Sequence, residues 1–134
     1  MSISQITLAV YERIAADTTL PTVRIYPNIN TTTPSGSDAW IAVFMLPAAT
    51  TKPTLGHGDY YRESGIVQIS IYTKAGQGEI KGQLVVDDIR ALFPAGLKIG
   101  RLEFNQPLSV ASGFNDGSGW YLIPVSIPYT QIVI

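Results

Sequence analysis

The sequence predicts an α+β domain: a mainly antiparallel, mixed sheet with two helices packed on one of its faces. Three observations lead there. Segments with apolar residues at alternate positions, or apolar on both faces, outnumber segments with helical spacing. The two helical segments stand far apart, and most strands follow one another directly, so hairpins dominate. The chain has 134 residues, 46% of them hydrophobic, and a chain of this size buries roughly 68% of its unfolded surface in one core. No repeat or linker divides it, so residues 1–134 read as a single domain.

Ser2 and Gln5 suit a capping box for a first helix, in which Ile3, Ile6, Val10 and Ile14 recur at helical spacing. Glu12 and Arg13 lie off that stripe, and Leu20-Pro21 ends the segment. Val23 and Ile25, with Arg24 and Tyr26, make a short strand stopped by Pro27. Residues 28–38 form a polar loop carrying Pro34 and Gly36. Residues 39–46 set Trp40, Ala42, Phe44 and Leu46 against Ile41, Val43 and Met45, apolar on both faces, as in a strand covered on both sides. Residues 47–63 read as irregular, about 17 residues, a length that compact domains reserve for functional or mobile segments.

Residues 65–72 alternate, with Val67, Ile69 and Ile71 inward and Gln68 and Ser70 outward. A turn at residues 76–78 leads into a second helix over about 79–93. Val85, Val86, Ile89, Leu92 and Phe93 form its apolar face; Lys81, Asp87, Asp88 and Arg90 lie largely opposite, and Pro94 and Gly96 end it. Residues 97–104 read as one strand interrupted by Gly100. Residues 107–111 open a final hairpin, 113–119 form its loop, and 119–129 are its return arm.

That return arm is the most unusual segment. Alternate N–H groups of a strand point to the same side, so Pro124 and Pro128 remove two donors from one lateral edge. This predicts pairing with residues 107–111 on one edge only, the other being unpaired or set against another subunit. Both faces are largely apolar: Tyr121, Ile123, Val125, Ile127 and Tyr129 on one, Trp120, Leu122 and the prolines on the other. Such an edge strand aggregates unless covered, and another copy of the chain is the expected cover.

Composition narrows the function classes. Only 14% of residues are charged, against a norm of about 25%, so part of the surface is expected to be an interface. A formal net charge of −1 lacks the basic stripe of a nucleic-acid binder. No apolar run approaches the roughly 20 residues of a membrane span, and no basic-then-apolar start suggests secretion. Without a secretory route, the sequon at Asn30 carries little meaning. With no cysteine, disulfides and thiolate metal sites are excluded.

Gly76, Gly78 and Gly82 follow a strand and open a helix, but G-x-G-x-x-x-G is one residue too long for a dinucleotide fingerprint, and no series of βαβ units surrounds it. A tight turn with a close helix–sheet approach explains these glycines. His57 is the one histidine, and with Asp59 it has no nucleophile or second base nearby. One histidine and no cysteine cannot supply a zinc set. Asp87 and Asp88 diverge by about 100° on a helix, and Asn115-Asp116-Gly117 lacks the carboxylate series of a calcium loop, so it reads as turn chemistry. The expectation is no enzyme, no metal and no cofactor. Among aromatics, Trp40, Phe44, Tyr72 and Phe93 fit a core, whereas Tyr60 and Tyr61 beside Arg62 fit interface anchors and local packing about equally well.

Several stretches, taken together, resemble one family: Asp38-Ala39-Trp40-Ile41-Ala42-Val43, Gly65-Ile66-Val67-Gln68-Ile69-Ser70-Ile71-Tyr72, the Ala75-Gly76-Gln77-Gly78 turn, a helix ending Ile89-Arg90-Ala91-Leu92-Phe93, and the closing Gly119-Trp120-Tyr121-Leu122-Ile123-Pro124-Val125-Ser126-Ile127-Pro128-Tyr129. The pattern is similar to the tail terminators of long-tailed phages, the group related to minor tail protein U. The resemblance implies an α+β fold, a hexameric ring of identical subunits, a place in the virion tail or neck after assembly in the host cytoplasm, and partners in the tail tube protein and a head completion or neck connector protein. Neither direct nucleic-acid recognition nor a membrane is implied. Three contact regions are expected: Leu55, His57, Tyr60, Tyr61 and Arg62 in the long loop; Phe114, Asn115 and Asp116 at the hairpin tip; and the face carrying Trp120, Leu122 and Pro124. The alternatives are another neck or head–tail connector protein, or a small ligand-binding domain or enzyme using the Gly76–Gly82 turn.

Overall fold

A computed structural model of the chain describes residues 3–27, 38–51 and 61–133. Among them the elements run α1 (Ile3–Ala16), β1 (Arg24–Ile25), β2 (Ala39–Thr51), β3 (Tyr61–Lys74), α2 (Ile80–Leu92), β4 (Leu97–Ile99), β5 (Leu102–Phe104), β6 (Ser109–Val110), β7 (Phe114–Asn115) and β8 (Trp120–Val133). The strands form one sheet ordered β1-β2-β3-β8-β5-β4, with β6 and β7 also paired to β8. The β1–β2 pair is parallel and the other pairs are antiparallel.

Parity places the core. Ile41 and Val43 of β2, Val67, Ile69 and Ile71 of β3, and Ile123, Val125, Ile127 and Tyr129 of β8 all have odd numbers, and the registers Ile41↔Ile71 and Ile71↔Ile123 put them on one face. The helical stripes Ile6, Val10 and Ile14 of α1 and Val85, Val86 and Ile89 of α2 pack onto that face in one buried cluster with Phe93 and Phe104. The fold is therefore α+β with both helices on one side of a mixed sheet, as the periodicities predict. Gly82 lets α2 settle closely: a Cβ there would stand 2.5 Å from Ile123 Cδ1.

Two arginines fasten the helix layer. Arg13 Nε donates to the Leu92 carbonyl at 2.8 Å, and its guanidinium lies 5.9 Å from the Phe93 ring centre, tying α1 to the end of α2. Arg24 reaches from β1 to the carboxyl end of α1. It donates to the carbonyls of Pro21 at 2.9 Å, of Asp17 at 2.7 Å and of Ile14, with a longer contact to Leu20 at 3.4 Å. The last carbonyls of a helix have no partner within it, and this side chain supplies one. Asp17 closes the following turn: its carboxylate accepts from Thr19 N–H at 2.7 Å, Thr19 Oγ1 at 2.7 Å and Leu20 N–H at 3.0 Å.

β8 is paired along both edges, contrary to the single-edge expectation. One edge runs against β3 from Lys74↔Trp120 to Tyr61↔Val133. The other meets β7 at Leu122 and Tyr121, β6 at Ser126 and Val125, and β5 at Gln131 and Thr130. The prolines fall where these short partners leave gaps. Pro124 lies between the β7 and β6 registers and uses its carbonyl to accept from Ala111 N–H at 3.0 Å; Pro128 lies between β6 and β5. A missing donor thus forbids a continuous ladder on that edge but not a fragmented one.

Three further expectations change. Residues 97–104 are a hairpin, β4 against β5, with Gly100 in its turn at φ 59°. Of residues 47–63, both described ends are strand: β2 continues to Thr51 across a register shift between Pro47 and Thr50, and β3 starts at Tyr61, while residues 52–60 lie outside the described residues. Alanine and threonine there carry no hydrophobic period, and the ladder with β3 supplies the order instead. Phe44 is not a core residue; it is 38% exposed, because both helices lie on the other face.

Candidate assembly surface

The sheet face turned away from the helices is built from the even-numbered residues of β2, β3 and β8. Register aligns them in rows: Trp40–Tyr72–Leu122, Ala42–Ser70–Pro124, Phe44–Gln68–Ser126 and Leu46–Ile66–Pro128. Beyond these lie Ser64–Thr130 and then Arg62. One end is covered. Trp40 stacks on Tyr72 at 3.8 Å and 1°, Trp120 meets Trp40 edge-on at 5.8 Å, and Val23 and Ile25 pack against this small cluster. The Trp40 indole N–H is buried there without an acceptor.

Ala42 and Ser70 of the next row are buried too, but beyond them the face is more open, with Phe44 38% exposed. Leu46 is 44% exposed, and Ile66, Leu122, Pro124 and Pro128 are half-buried. At the far end the face deepens into a groove of about 460 Å³, whose lining includes Arg62, Arg101, Ser64, Ile66, Pro128 and Thr130. Among the described residues neither arginine forms an ion pair, whereas Glu103 on the same wall holds Lys98 at 3.8 Å. The outer side of the helix layer is also partly apolar, with Ile80 67% and Leu84 59% exposed.

The contact residues read from the sequence separate into two places. Leu55, His57 and Tyr60 lie outside the described residues, as does the Tyr61 side chain, although the Tyr61 backbone begins β3 opposite Val133. Arg62 is exposed beside the groove. Phe114, half exposed, lies opposite Leu122 at the other end of the sheet. Ten residues of β3 separate the Arg62 and Tyr72 levels, about 33 Å of strand. Trp120 is buried in the Trp40 cluster. Asn115 is exposed in β7. Asp116 serves the hairpin turn, accepting from Ser118 N–H at 2.8 Å and Trp120 N–H at 3.2 Å. The backbone bond from Ser118, followed by that from Trp120, outweighs desolvation and holds its carboxyl below the usual carboxylate range. Sequence reasoning missed Phe44, Leu46 and Arg101 as surface residues. For the first two the signal was present, a strand apolar on both faces, but it was assigned to a cover inside the chain.

Among the described residues no group of histidine, cysteine or carboxylate side chains could hold a metal ion. No helix among the described residues is long and apolar enough to cross a membrane. A family model for phage tail terminator proteins matches residues 5–129. The chain belongs to the phage tail terminator family. The terminator is thus a structural component of a phage tail, and its bare sheet face belongs to a protein whose work is to contact other tail proteins. A solved structure 24% identical in sequence superposes with a TM-score of 0.74, covering 100% of this chain and 97% of that one, and shows that the fold is shared. No curated protein matches the chain.

Proposed function

We propose that this terminator closes into a hexameric ring that caps the tail tube, stops its polymerisation and offers its far side to the head completion or neck connector protein, after assembly in the host cytoplasm. The observation that carries this reading is the long sheet face left bare by a fold that places both helices on the other side, with Phe44 and Leu46 exposed at its centre. A monomer rarely leaves large apolar side chains such as these grouped on one open sheet face. A heterologous contact using that face closes into a ring when its rotation divides the circle evenly. Termination is then geometric: one rim imitates the next tube ring, and the other presents nothing on which tube protein can grow.

Native mass spectrometry of the purified chain, alone and with tail tubes, tests this. Six-subunit particles, or rings at tube ends in negative-stain images together with arrested tube growth, support it. A strict monomer that leaves tube length unchanged overturns it. Binding to portal-side proteins but not to tubes would favour the neck-connector alternative.

A further inference from the structure

We propose that the seam between neighbouring subunits is a helix-on-sheet contact, in which the outer stripe of α2 of one copy lies along the bare sheet face of the next and its acidic end meets the Arg62–Arg101 groove. This rests on the ring reading and names the surfaces that make the ring. Ile80, Leu84, Asp87 and Asp88 are spaced i, i+4, i+7 and i+8, so they share one side of α2. Ile80, Leu84 and Asp87 are exposed and Asp88 is half-buried. The side is apolar at its start and acidic further on.

The bare sheet face carries the complementary order. The row Leu46–Ile66–Pro128 is apolar, and the two arginines without ion partners among the described residues stand beyond it. The spacings agree. Eight helical residues from Ile80 to Asp88 span about 12 Å, and four strand residues from Ile66 to Arg62 span about 13 Å. With Ile80 over the Leu46–Ile66–Pro128 row, Asp87 and Asp88 reach the level of Arg62 and Arg101. Asp87 gives up little to do so: its pair with Arg90 is 3.9 Å long and exposed. The two surfaces lie on opposite sides of the two-layer fold, so each copy keeps one of each and the contact is heterologous, as a ring requires.

The experiment uses two disabled variants of the full chain, Leu84→Asp on the helix side and Leu46→Asp on the sheet side, both at exposed positions, each checked for wild-type thermal melting. Sedimentation velocity of each alone is expected to show assembly weakened by about 30-fold or more. Mixed together, each variant still owns one intact surface, so the mixture is expected to give a 1:1 dimer and nothing larger. A second pair guards against misfolding. Arg62→Glu/Arg101→Glu and Asp87→Arg/Asp88→Arg should each weaken assembly, and combining all four changes in one chain should restore it. If the wild type assembles and these variants assemble equally well, the seam is wrong and the ring stands. If the wild type never assembles, with or without tubes, the ring and the seam fall together.

Discussion

Replacing Arg24 with alanine tests how much of the helix layer hangs on one side chain. Its guanidinium donates to three carbonyls, those of Ile14, Asp17 and Pro21, and more weakly to Leu20. Hydrogen bonds from a charged donor contribute roughly 1.5–3 kcal/mol each. The site is only partly buried and water can replace some of them, so about 1 kcal/mol per carbonyl is the better figure, about 3 kcal/mol in all. With an unfolding entropy of about 2.1 cal/mol/K per residue over 134 residues, this lowers Tm by about 11 °C. Arg24→Lys keeps the charge but not the planar fork, so it should retain one carbonyl and lose about 7 °C. Calorimetry of the wild type and both variants measures this directly. A fall below about 3 °C for alanine, or equal losses for alanine and lysine, would refute the idea that the fork holds the end of α1.

Three other outcomes are expected. Gly82→Ala should change stability by less than about 1 kcal/mol in urea titration, because the helix-propensity gain of about 1 kcal/mol offsets the cost of turning the Ile123 Cδ1 end aside from a Cβ 2.5 Å away; a loss above about 2 kcal/mol would mean that Ile123 cannot move. Acid should weaken the fold: hydrogen bonding to Thr19 lowers the Asp17 carboxyl, and Lys74, then Lys81, lower that of Asp38. Since the folded values lie below the unfolded ones, this stability is complete above the usual carboxylate value near pH ~4 and is lost as pH falls through the folded values; a urea midpoint unchanged between about pH 6 and pH 3 would contradict it. Pro128→Val should leave stability within about 1 kcal/mol but raise aggregation measured by light scattering, because it restores a donor in an edge gap; unchanged scattering would show the gap to be closed already.

The parts of the fold that repeat were legible. Ile6, Val10 and Ile14 marked α1, and Val67, Ile69 and Ile71 marked the inward side of β3, because each buries a full stripe against one neighbour. The second edge of β8 was not legible, since β5, β6 and β7 are two or three residues long and too short to show a period. Arg24 gave no signal at all: a helix terminus has no sequence mark for a side chain arriving from the next element. Phe44 and Leu46 taught the opposite lesson. Their apolar pattern was read correctly, but a pattern says that a surface wants covering and not whether the cover lies in the same chain.

The interrupted edge of β8 bears on how the subunit opens. A continuous ladder unzips from its end, each broken bond loosening the next. Here Pro124 and Pro128 stand between three separate pairings, so the exposed β6 and β7 can detach one by one without unzipping the β3–β8 ladder, whereas β5 is also held by its buried Leu102 and Phe104. Amide exchange should therefore be layered: slow through β3 and the β3-facing donors of β8, faster and in independent blocks through β6 and β7. Residues 109–119, where β6 and β7 are exposed, can then rearrange against a partner at small cost, while β5 and the central strands stay anchored in the core.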